Sequence, residues 1–133
     1  MGLPFDGDEL PNAFRGNPNA SYVDTWPLIW KEFKSVGYKT MFLEDEPSIG
    51  VFQYRLIGFE KQPTDFYGRS MYLLLDKFPH ISHRKKRWSC IGGRPRYMLF
   101  LDYIHEFLRS YDKTPTFLMS HYKELTHNEN ERV

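Results

Sequence analysis

The first ordered pattern along the chain lies at 26–36. Trp26, Ile29, Trp30, Phe33 and Val36 recur there at the spacing of one helical face. Asp24 or Thr25 is placed to cap this helix, Pro27 suits a first turn whose N–H groups lack intrahelical partners, and Gly37 stops it. Residues 38–43, with Thr40, Met41 and Phe42, read as a short buried strand that ends at Glu44-Asp45-Glu46-Pro47. Residues 49–59 fit helix and strand equally, 61–65 read as a turn, and 66–78 read as a helix with Met71, Leu74 and Leu75 inward. The clearest element opens at Pro95. Tyr97, Phe100, Leu101, Ile104, Phe107, Leu108 and Tyr111 form a full helical stripe, and Arg96, Asp102, Glu106 and Arg109 fall off it. Phe117-Leu118-Met119, within 116–120, is a continuous apolar run of the kind found in strands covered on both faces.

Between these elements the chain is polar. Residues 1–22 are rich in turn formers and read as a loop-like entry, 80–93 as a basic connection, and 128–133 as a polar tail. Short buried strands alternating with amphipathic helices predict an α/β fold, a layered sandwich with a mostly parallel sheet, as one domain over 1–133. Two strands are too few for a stable parallel sheet. The chain is therefore expected to be an incomplete part of a larger core, with the rest of that domain as its first partner.

Composition narrows the function. A chain of 133 residues has room for one domain, and 41% hydrophobic with 17% aromatic residues is enough for a core. The net charge of +1 supplies no global field toward nucleic acid or anionic lipid. No apolar run approaches the roughly 20 residues of a membrane span. Asp6, Asp8 and Glu9 near the start, with no basic n-region, do not make a signal peptide. The single cysteine, Cys90, excludes an intrachain disulfide and a cysteine zinc site, and reads as structural or as one whose disulfide partner lies outside this chain. The basic run His83-Arg84-Lys85-Lys86-Arg87-Trp88 reads as a solvated loop, since no nucleic-acid-binding motif accompanies it.

Parallel α/β sheets hold ligands just past the C-terminal ends of their strands. After the first strand come Glu44, Asp45 and Glu46; after the last come His121, Glu124 and His127. Carboxylates and imidazoles suit zinc and related divalent ions. The plain alternatives are a solvated acidic turn and ordinary loop histidines. The order of His121, Glu124 and His127 is not the HExxH zinc motif, which needs its histidines four apart on one helical face. Gly92-Gly93-Arg94-Pro95 reads as a glycine-shaped entry into the last helix.

Several stretches together carry a family resemblance. They include Trp26-Pro27-Leu28-Ile29-Trp30, Gly37-Tyr38-Lys39-Thr40, Glu44-Asp45-Glu46-Pro47, Gly58-Phe59, Pro63-Thr64-Asp65-Phe66-Tyr67, Cys90-Ile91-Gly92-Gly93-Arg94-Pro95-Arg96 and 117–127. The chain resembles the DUF229 family, sulfatase-like members of the alkaline-phosphatase-like superfamily. The resemblance implies an α/β sandwich with a divalent metal, zinc or calcium, at the strand ends of the longer protein, and none held by this chain alone. It implies a phosphate or sulfate ester substrate, small or carried on a glycan, and an extracellular or membrane-anchored ectodomain. By the same resemblance His121 is the substrate- or metal-facing residue, and His127, Glu124 and Asp45 are metal ligands. The partner aspartate expected four residues before His127 is Lys123 here, with Glu124 one later.

The departures are informative. In sulfatases the Gly-Tyr-x-Thr strand runs into a lysine that contacts the sulfate; here that place holds Glu44-Asp45, an acidic pair that repels a sulfate ester unless it binds metal. The nucleophile and the remaining metal ligands of the superfamily are expected outside these 133 residues. The readings that follow are a fragment of a metal-dependent ester hydrolase or transferase, or a catalytically silent scaffold that binds a partner or a glycan.

Overall fold

The computed structural model describes residues 10–78 and 90–124. Helix α1 spans Ile29–Ser35 and leads through a tight reversal into strand β1, Lys39–Glu44. Gly37 makes that reversal, with φ of +92°, a conformation glycine enters without a Cβ clash. The Gly37 N–H donates to the Lys34 carbonyl and the Tyr38 N–H to the Phe33 carbonyl, both at 3.1 Å, and Tyr38 packs on Phe33 at 5.0 Å. This is the Schellman closure with its apolar contact. The N-terminal side departs from the pattern. Val23–Thr25 is a single 3-10 turn and Leu28, without a side-chain hydrogen bond, precedes the helix. The Asp24 carboxylate instead accepts the backbone N–H groups of Glu60 and Lys61 at 2.8 and 3.0 Å. A long-range pair of donors outcompeted the local cap.

Strand β1 is the centre of a three-stranded parallel sheet. Strand β2, Phe66–Tyr67, pairs on one side, and β5, Thr116–His121, pairs along its whole length on the other. Residues 40–43 of β1 are fully buried, because helices cover both faces. Phe42 points into an aromatic layer, stacked on Trp30 at 5.2 Å and on Tyr67 at 5.7 Å, with Phe52 and Phe59 closing around them. Met41 and Leu43 point to the opposite layer, against Tyr72, Phe100 and Phe107. Those residues come from α2, Arg69–Lys77, and α3, Arg96–Ser110. The architecture is α/β, as the alternation of elements predicts, and fits an incomplete α/β core.

Four local expectations are corrected. The helix over 66–78 begins as strand β2, because Phe66 and Tyr67 pair with Met41 and Phe42 before the chain turns. Met71 and Leu75 pack against the core as expected, but the fully buried residue of the helix is Tyr72, and Leu74 is 56% exposed. The ambiguous stretch 49–59 is neither helix nor long strand. A 3-10 turn, Pro47–Ile49, leads into turns, and Leu56 bridges back to Phe14. That bridge, with hydrogen bonds from Arg15 N to Arg55 O at 2.8 Å and Ile57 N to Ala13 O at 2.9 Å, ties the loop-rich entry to the body. Finally, Gly92 and Gly93, both at positive φ, turn a small hairpin of β3 (Cys90–Ile91) and β4 (Arg94–Pro95). The pair of left-handed residues matches the twist of antiparallel strands. Pro95 lies in β4, and α3 starts one residue later.

Candidate functional site at the strand ends

Because β1 and β5 run parallel and in register, their C-terminal ends meet. Glu44 lies opposite His121, and the Asp45 N–H approaches the His121 carbonyl at 3.4 Å. The two acidic and imidazole-bearing segments, some 75 residues apart in the chain, are therefore neighbours in space.

Asp45 is fully buried. One carboxylate oxygen accepts the Lys123 N–H at 2.7 Å and the other the Glu124 N–H at 2.9 Å. Its own carbonyl accepts from Arg96 Nη2 at 2.8 Å. The guanidinium of Arg96, 1% exposed, also pairs with Asp76 at 3.4 Å and lies over the Tyr72 ring at 5.0 Å. Asp45 thus fastens the chain just past β5 to the end of β1, with a buried cation nearby.

Glu44 is nearly as buried. Its Oε1 accepts the Val51 N–H at 2.9 Å and the Lys123 ammonium at 3.1 Å. Lys123 also donates to the Ile49 carbonyl at 2.5 Å. Gly50 allows this closure: a Cβ there would fall 2.3 Å from Gln53 Oε1 and 2.8 Å from Glu44 Oε2. Gln53 in turn donates to the Tyr67 hydroxyl at 2.7 Å. Burial pushes the Tyr67 phenol up to about 12; Arg69 pulls it down, and the Glu44 charge adds to the rise. Glu124 accepts the Tyr122 hydroxyl at 2.9 Å. Burial, then that hydrogen bond and the Glu124 charge, hold the Tyr122 phenol protonated far above its usual range. His121 and Ser120 are exposed at the tip of β5.

A divalent metal would need open carboxylate or imidazole positions at this edge. Both oxygens of Asp45 are taken by backbone donors, and the position beside Glu44 that a cation would claim holds the Lys123 ammonium. Among the described residues no three His, Cys, Asp or Glu side chains gather as a metal site. The set does not fit a divalent ion. His127 lies outside the described residues, as does the basic run 83–88. The structure brings Glu44, Asp45, Glu124 and His121 to one edge and gives the first three internal partners.

Sequence reasoning missed two members of this edge. Lys123 stood in the sequence only as a mismatch, and Arg96 only as a residue off the apolar stripe, although it is the most buried charge of α3. The one signal available for Arg96 was its position at the first turn of α3, directly after the glycine turn.

No helix among the described residues is long and apolar enough to cross a membrane. A family model described as "Protein of unknown function (DUF229)" matches residues 2–132. No curated protein and no solved structure matches the chain.

Proposed function

The chain belongs to the DUF229 family, and from that premise we propose that it forms part of the core of a sulfatase-like domain of the alkaline-phosphatase-like type. That domain acts on phosphate or sulfate esters, free or carried on a glycan, outside the cell. The observation that carries the reading is the meeting of β1 and β5, which places Glu44 opposite His121 at the edge where open parallel sheets hold ligands.

The surroundings of the acidic pair support this reading. Glu44-Asp45 taken as bare charges repels an anionic ester. In the fold Glu44 is countered by Lys123, and Asp45 is wrapped by backbone N–H groups with Arg96 close by. Where sulfatases carry a lysine after the Gly-Tyr-x-Thr strand, Lys123 from the neighbouring strand end offsets the charge of Glu44. His121, exposed beside it, is the residue that faces an ester, as a hydrogen-bond donor or proton carrier. Asp45 and Glu124 act as positioning residues through the backbone beyond β5. The remaining domain supplies the nucleophile, any divalent metal, and further strands for the sheet.

The test uses the full-length protein with an aryl phosphate and an aryl sulfate. His121→Ala is expected to lower turnover by about 100-fold, the lower end of general acid–base contributions. Unchanged turnover in that variant removes His121 from the site. A second reading, a silent scaffold that binds a partner or a glycan, is favoured by the internal commitment of Glu44, Asp45 and Glu124. It gives no turnover with either ester while sulfated or phosphorylated glycan binding persists.

A further inference from the structure

The loop-rich entry carries a feature that the strand-end reading leaves unused. Of Asn12, Asn17, Asn19, Asn128 and Asn130, only Asn19 is followed by a non-proline residue and then a serine, as Asn19-Ala20-Ser21. This is the acceptor pattern for N-linked glycans, in which the hydroxyl two residues on is part of recognition.

The fold presents the tripeptide on its surface. Asn19 and Ser21 are exposed. The turn is closed by the Ala20 N–H on the Asn17 carbonyl at 3.1 Å, and the Asn19 N–H donates to Asn17 Oδ1 at 2.9 Å. These contacts hold the Asn19 backbone. Its side-chain amide has no hydrogen-bond partner among the described residues. The Ser21 N–H anchors to the Asn12 carbonyl at 2.7 Å, while the Ser21 hydroxyl makes only a 3.5 Å contact to that oxygen. A sugar on Asn19 Nδ2 therefore displaces no internal bond and needs no rearrangement of the folded chain. Phe14 and Tyr22, 58% and 45% exposed, bracket the same turn and offer apolar surface for a sugar chain to cover.

We propose that Asn19 is an N-glycosylation site. The Asn19 amide nitrogen attacks C1 of an oligosaccharide carried on a lipid pyrophosphate. A C–N bond forms, the C1–O bond to the pyrophosphate breaks, the lipid pyrophosphate leaves, and one amide proton is released. No oxidation or reduction is involved. The inference rests on the extracellular reading above, because only chains that pass through the secretory route meet this donor.

The experiment separates the two. The full-length protein is expressed in animal cells, and its presence in the medium or on unpermeabilised cells is scored. Glycan at Asn19 is read by peptide mass before and after amidase deglycosylation, which converts a glycosylated asparagine to aspartate. The expected result is an extracellular protein with Asn19 converted. The conversion should be lost in Asn19→Gln and Ser21→Ala and kept in Ser21→Thr. An extracellular protein with bare Asn19 overturns the glycosylation inference and leaves the extracellular reading intact. A protein found neither in the medium nor on the surface, with Asn19 bare, overturns both.

Discussion

Two aspartates pin the two ends of β1, in opposite surroundings. Asp65 reaches the start of the strand, where one of its oxygens accepts both the Thr40 N–H at 2.9 Å and the Thr40 hydroxyl at 3.0 Å. Its other oxygen meets the Lys34 ammonium at 3.0 Å, on a side chain that is half exposed. Asp45 follows the end of the strand, has no exposure, and takes two backbone N–H groups from a segment 78 and 79 residues away in the chain. Asp65 is a staple at the rim with water at its side; Asp45 is a buried rivet. A carboxylate with no exposure is expected to contribute more than one at the rim, because the partners it leaves behind have less access to water.

The comparison can be broken by substitution. Asp45→Ala should have the largest effect, about 3–5 kcal/mol lost in urea unfolding, since it removes a fully buried carboxylate and with it two charge-assisted hydrogen bonds. A loss under about 1 kcal/mol would show that the strand-end network is not what holds the segment beyond β5 to the end of β1. Asp65→Ala should cost less, about 1–2 kcal/mol, because the Asp65 side chain sits at the rim, 20% exposed, and water can enter the space it leaves to meet the freed Thr40 groups. Smallest is Lys34→Ala, below about 1 kcal/mol and shrinking further with added salt, as for an exposed ion pair.

Acid sharpens the same contrast. Burial tends to raise the Asp65 carboxyl, but the Thr40 N–H, Lys34 and the Thr40 hydroxyl outweigh it and hold the group below its ordinary value. A depressed folded-state value means that the stabilisation is fully present above the unfolded value near about 3.9 and is lost as pH falls through the folded one. Asp65→Asn should flatten the acid limb of the stability profile in that window. An unchanged limb would place the acid sensitivity elsewhere.

The elements that the sequence revealed best are those in which local and global demands agree. In α3 the helical stripe puts Phe100 and Phe107 into the core, although its outer members Leu101 and Leu108 remain exposed. The turn at Gly37 was legible because a left-handed residue after a helix leaves few choices. Strand β2 was not legible. Two residues give no period, and only the approach of β1 turns Phe66 and Tyr67 into a strand. The β3–β4 hairpin was hidden for a related reason: a glycine pair before a helix fits both a helix entry and a turn.

At the candidate site the residue types and their place after the strands could be read from the chain. Their partners could not. A carboxylate after a strand is written the same way whether it holds a metal, faces water or accepts two backbone N–H groups; the distinction lies in which distant segment arrives beside it. The sequence by itself determined the α/β alternation, the buried character of β1, the strand-end position of Glu44, Asp45 and His121, and the acceptor tripeptide at Asn19. Only the tertiary structure decided that β1 lies between β2 and β5, that Arg96 is buried beneath Asp45, and that Lys123 neutralises Glu44. Periodicity reports which face of an element is apolar, whereas the pairing of charges depends on contacts that close only after the sheet has formed.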